Sequence, residues 1–126
     1  MTAAAPSERQ LQRRLLRHMG AVLPPAAVWL HVPNQGPNPE FTRALLGDGL
    51  KPGCPDLFLF HAGRAFGMEV KIPGEGPNPV QIAFHARLRA AGVQVTVVRS
   101  ILDAEAAWAC WGLPIAAAPA VDGLWF

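Results

Sequence analysis

Apolar positions along the chain change period several times, and each change predicts an element. Leu11, Leu15, Leu16 and Met19 recur at helical spacing, with Ser7 placed to cap a helix running to about Met19. Pro24-Pro25 closes that region, and Val28-Trp29-Leu30-His31-Val32 predicts a short buried strand. Residues 33–39 are loop by composition, and Glu40 to Leu46 allows a short helix stopped by Gly47 and Gly49. After the stiff turn Lys51-Pro52-Gly53-Cys54-Pro55, Leu57-Phe58-Leu59-Phe60 has no polar residue, which predicts a strand covered on both faces.

Ala62-Gly63-Arg64 makes a hairpin turn into a return strand from Phe66 to Ile72, broken by Pro73 to Pro77. Asn78 caps the next helix, with Pro79 at its first position, where a missing N–H is harmless. Val80, Phe84, Leu88 and Ala91 form its expected buried stripe, and Gly92 its stop. Val93 to Val98 is a strong β segment, and Asp103 is placed to cap a last helix through about Trp111. The expected fold is α/β, a mixed sheet of about four strands flanked by helices, in one domain spanning 1–126. The Ala- and Pro-rich tail 112–126, ending Leu124-Trp125-Phe126, is unassigned.

Charge interrupts this apolar pattern at one place. Asp56 opens one strand of the hairpin, and Glu69-Val70-Lys71 lies on the other. Side chains alternate along a strand, so Glu69 and Lys71 share a face and Val70 points away. A Pro-Asp turn or an exposed Glu-x-Lys pair is common by itself. Here the flanking strands carry almost no other charge, and buried acids need a partner. A hard divalent cation suits them.

Asp56 and Glu69 can converge on one ion, with the Val70 carbonyl as a third ligand where the sheet splays apart. Mg²⁺ prefers such oxygen donors, keeps several waters and uses only one or two carboxylates. Lys71 could hold a water or an attacked phosphate on the same face. Gln81, on the first turn of the helix after Asn78, could orient that water or touch the phosphate, beside the N–H groups of a helix N-terminus. Hydrolysis of a phosphodiester uses all these parts.

Composition narrows the class without deciding it. With 51% hydrophobic and 16% charged residues the chain is globular, and no apolar run approaches membrane-spanning length. The stretch from Met1 to Arg14 is polar and Arg-rich, so the expectation is a cytoplasmic protein of a bacterial or phage-infected cell with no membrane partner. Cys54 and Cys110 lack zinc-site spacing; Cys110 is expected in the core, and nothing marks Cys54 as a nucleophile. The histidines at 18, 31, 61 and 85 show no metal-binding spacing and are expected to be structural or on the surface.

Net charge is only +2, yet all eleven bases and just six of the nine acids precede residue 100. A polyanionic partner fits that imbalance. Arg9, Arg13 and Arg17 repeat every four residues on the first helix, giving either a solvated face or one that contacts phosphate.

Gly53-x-Pro55-Asp56-Leu57, Glu69-Val70-Lys71, Gln81 and Leu88-x-x-x-Gly92 together resemble the PD-(D/E)XK nuclease superfamily. Within it the chain is most similar to the VRR-NUC (virus-type replication-repair nuclease) family in its stand-alone phage and bacterial form. His31-x-Pro33-Asn34, Gly49-x-Lys51-x-Gly53 and Val95-x-Val97-Val98-x-Ser100 fit the same pattern, and the likeness covers about residues 8–108.

The resemblance implies a restriction-endonuclease-like αβββαβ core and Mg²⁺- or Mn²⁺-dependent cleavage of DNA, with no nucleotide cofactor. It implies Asp56, Glu69 and the Val70 carbonyl as metal ligands, Lys71 as the catalytic lysine and Gln81 as the motif glutamine. Glu8 is placed like an acid of the first helix that reaches metal through water. Arg9, Arg13, Arg17, Asn34 and Lys51 are the expected DNA contacts. Stand-alone relatives look like Holliday-junction resolvases that dimerise, so a structure-selective endonuclease acting as a homodimer on branched or duplex DNA is the leading expectation. A restriction-like or nicking nuclease of phage packaging or defence is a second. A non-catalytic DNA-binding or assembly protein on the same scaffold is a third. The chain departs from relatives at Gln35-Gly36-Pro37 and in the proline-rich stretch 73–79.

Overall fold

A computed structural model describes residues 6–33, 38–49 and 51–116. The elements follow one another as α1 (Glu8–Val22), β1 (Val28–His31), α2 (Pro39–Gly47), β2 (Leu57–His61), β3 (Arg64–Val70), α3 (Pro79–Ala90), β4 (Gln94–Val98) and α4 (Ile101–Cys110). The sheet has four strands in the order β1-β2-β3-β4, antiparallel except for the parallel β3–β4 pair. It is the mixed sheet the alternation of periods predicts.

Alternation along β3 decides what lies on each side. Phe66, Met68 and Val70 face the main core with Leu57 and Leu59 of β2, and α1 and α4 cover them through Leu11, Leu15, Met19 and Trp108. Trp111 stacks on Phe66 with ring centroids 4.5 Å apart, and His18 of α1 stacks on Trp108 of α4. Trp108 and Trp111 are therefore core residues. The opposite face carries Gly67 and Glu69, paired with Val95 and Val97 of β4, and there α3 packs.

Local chemistry explains the boundaries. Ser7 caps α1 in a reciprocal pair with Gln10, and Asn78 does the same for α3 with Gln81, Pro79 following at the first turn. Gly92, at φ +93°, ends α3, and the Val93 N–H returns to the Leu88 carbonyl. The β2–β3 turn is the two residues Ala62 and Gly63, both at positive φ, so Arg64 already pairs with His61.

Four expectations are corrected. The segment at Val28 is not a buried strand but an exposed sheet edge, with Val28 60% and Leu30 45% accessible. β2 is covered on one face only, because α3 spans the β3–β4 half of its side of the sheet; Phe58 is half-buried and Phe60 is 40% accessible. The last helix is capped by Ser100, not Asp103, which occupies its third position and accepts from the Arg99 N–H. Cys110, at the end of that helix, is exposed rather than in the core. Asn34, Trp125 and the tail beyond residue 116 lie outside the described residues.

Candidate active site

The hairpin register delivers the two acids to one point. Its last pair is Leu57 opposite Met68, so Asp56 stands just before β2 and beside the end of β3. Beyond that pair the Val70 N–H has no β2 carbonyl to meet and donates instead to Asp56 Oδ2, at 2.8 Å. A strand residue's N–H and C=O point to the same edge, so the Val70 carbonyl lies on this side too. The Lys71 N–H turns the other way, to the Val98 carbonyl at 3.0 Å.

Gly53 fixes the approach to Asp56. Its φ is +83°, and a Cβ there would stand 2.5 Å from the Val80 carbonyl oxygen. The lead-in loop thus packs backbone to backbone on the first turn of α3. A shallow groove at that contact is lined by Lys51, Pro52, Val80, Phe84 and Arg87.

Glu69 has no solvent exposure, and Asp56 is only 9% accessible. One Glu69 oxygen, Oε1, lies 3.0 Å from Nε2 of His85 on α3, itself buried. The other, Oε2, is buried without a hydrogen-bond donor. Burial first, then the hydrogen bond and like charge of Asp56, push the Glu69 carboxyl up to about 9, with Lys71 pulling the other way. Glu8, at the first turn of α1, feels the same cluster: burial raises it most, Lys71 lowers it, and Asp56 raises it again. Cys54 is pushed up to about 11 by burial and by Glu69 and Asp56, the opposite of an activated thiol.

The predicted residues are brought together unequally. Asp56, Glu69, the Val70 backbone, Lys71 and Glu8 form one electrostatic cluster. Gln81 spends its Oε1 on the Asn78 N–H at 2.9 Å, a bond in which its NH₂ takes no part. Arg9, Arg13 and Arg17 are exposed along α1, and Lys51 is exposed in the groove.

This donor set fits a small hard cation. An orphaned carboxylate oxygen beside a second carboxylate is what such an ion would satisfy, and the Val70 carbonyl adds a neutral oxygen. Among the described residues no three His, Cys, Asp or Glu side chains converge as a cage, so a zinc-type site does not fit. Glu8 accordingly stands apart from the direct ligand set.

A solved structure of a VRR_NUC domain matches this arrangement of elements with a TM-score of 0.53, over 79% of this chain and 90% of that one, at 22% identity. The fold is that of a VRR_NUC domain. No family model matches the chain. A phage protein, "Putative nuclease p44" of Acyrthosiphon pisum secondary endosymbiont phage 1, is 47% identical over 49 residues, 38% of this chain. That match covers 53% of the relative, so the chain spans about half the length of the phage protein it resembles.

On this VRR_NUC fold, His85 is the site residue that the sequence reading missed. The buried stripe expected on α3 is largely exposed instead: Val80 is 53% accessible, Ala91 is exposed, and Phe84 and Leu88 are half-buried. The helix turns His85 inward because Glu69 lies beneath it. The available signal was spacing, since His85 is one turn beyond Gln81 and shares its face.

The raised Glu69 carboxyl makes the metal-free protein sensitive to pH. Between about 4.5 and about 9 the folded state keeps a proton that the unfolded chain has released. Stability therefore falls as pH rises through that window. Thermal melts in EDTA should show this decline in the wild type and a flatter profile in Glu69→Gln. Equal slopes in the two proteins would place the dependence elsewhere.

Proposed function

We propose that the chain is a divalent-metal-dependent nuclease that hydrolyses phosphodiester bonds of DNA. The observation that carries this reading is the buried Glu69 carboxylate, one oxygen without a donor, next to the buried Asp56. A fold of binding function alone has no need to bury an acid in this state. The VRR_NUC fold and the name of the phage relative support the same activity.

Asp56 and Glu69, with the Val70 carbonyl, would hold Mg²⁺ or Mn²⁺. Such an ion lowers the pKa of water and offsets charge on phosphate. Lys71, half-buried on the Glu69 side of the site, would position the attacking water or steady the phosphate oxygen that gains charge. The Gln81 NH₂ and the first turn of α3 offer donors to the scissile phosphate. Glu8 would act through water, and the Arg9, Arg13 and Arg17 stripe, with Lys51, would hold the DNA backbone.

A homodimer acting on branched DNA suits the open half of the sheet. Val28, Leu30 and Phe60 share one exposed face, where β1 pairs with β2. A second copy would cover this surface and set two sites on one substrate.

Incubated with Mg²⁺ or Mn²⁺, the wild type should cleave DNA, with four-way junctions and flaps cut faster than linear duplex. Lys71→Ala should lose at least about 100-fold in rate, the scale set by one electrostatic donor. No cleavage by the wild type, or an undiminished Lys71→Ala, would remove the hydrolytic reading. For the dimer, sedimentation at micromolar concentration should give twice the chain mass and Leu30→Glu should give one. A wild-type monomer would contradict that assembly.

A further inference from the structure

The bond between His85 and Glu69 does more than satisfy a buried acid. Oε1 is engaged by the His85 ring at 3.0 Å, and both side chains are almost wholly enclosed, at 2% and 0% exposure. An ion chelated by both oxygens of Glu69 would have to compete with the His85 ring at Oε1. Oε2, without a donor, is the oxygen still able to take one. Once a cation ionises Glu69, the bond can run only from the imidazole N–H to Oε1.

We propose that His85 is a positioning residue that restricts Glu69 to a single metal-binding oxygen, and so selects a small octahedral cation over Ca²⁺. This rests on the metal site proposed above. Mg²⁺ and Mn²⁺ accept one oxygen from each carboxylate in octahedral geometry. Ca²⁺ takes six to eight ligands and commonly draws both oxygens of a carboxylate. A carboxylate held at one oxygen serves the first kind of ion and handicaps the second.

Helix α3 does not depend on this bond for its placement. Arg89, one turn beyond His85, donates to the Val95 carbonyl at 2.9 Å, and the Asn78–Gln81 pair fixes the other end. Removing the imidazole N–H therefore leaves the helix anchored on β4.

The test is binding of Mn²⁺ and Ca²⁺ to the full chain without DNA, Mn²⁺ read by electron paramagnetic resonance and Ca²⁺ by its displacement. His85→Leu fills the space without a donor, His85→Ala empties it without a donor, and His85→Gln keeps an amide N–H near the position of Nε2. Circular dichroism selects the folded variants. Both donor-free variants should bind Mn²⁺ about 10–100-fold more weakly, the scale for a residue that supports a ligand. Their preference for Mn²⁺ over Ca²⁺ should shrink, and His85→Gln should keep most of it. An unchanged Mn²⁺-to-Ca²⁺ ratio in a folded donor-free variant overturns the inference, whatever happens to absolute affinity, and leaves the metal site standing. A wild type that binds neither ion overturns both.

Discussion

A carboxylate shut off from water, with one oxygen held by an imidazole and a second acid beside it, dominates the energetics of this small domain. Burying an acid in that state costs several kcal/mol if it stays ionised, so the metal-free protein keeps Glu69 protonated well above the ordinary carboxylate range. Asp56 makes the problem worse by its charge and, in the same stroke, makes the pair suitable for a divalent cation. Asp56 has the Val70 N–H to answer its charge. Glu69 is tolerable in its place only with a proton or a positive ion beside it.

The surrounding fold keeps that pair in register. A two-residue turn fixes the β2–β3 alignment, and the ladder stops one residue short of Asp56, so the acid's side chain takes over the Val70 N–H. Gly53 lets the preceding loop lie against the Val80 carbonyl, tying Asp56 to the same helix that brings His85 over Glu69. On the far face, Phe66, Met68 and Val70 anchor β3 in the core beneath α1 and α4. The strand that carries the acid is thereby among the most firmly packed segments described, as a site needing fixed oxygens requires.

Much of this was legible in the sequence because it depends on local rules. The Asn78-Pro79 helix start, the hairpin and the shared face of Glu69 and Lys71 follow from capping, turn chemistry and strand alternation. What the sequence concealed is tertiary. Val28 to His31 and Phe58 to Phe60 are apolar enough to read as buried, yet α3 covers only the β3–β4 half of their sheet face. Apolar pattern shows that a segment seeks cover, not that the same chain supplies it. His85 was hidden for the converse reason: a histidine on a helix looks like surface until the acid beneath it is placed. Ser100 displaced Asp103 as the cap because β4 ends two residues before it and the helix starts at once.

Whether Asp56 and Glu69 enclose a divalent cation is answered by anomalous scattering from crystals soaked in Mn²⁺. A manganese peak is expected between the two carboxylates, in contact with Glu69 Oε2 and the Val70 carbonyl, and lost in Glu69→Gln. A peak bound elsewhere, or none between the acids at saturating Mn²⁺, would contradict it.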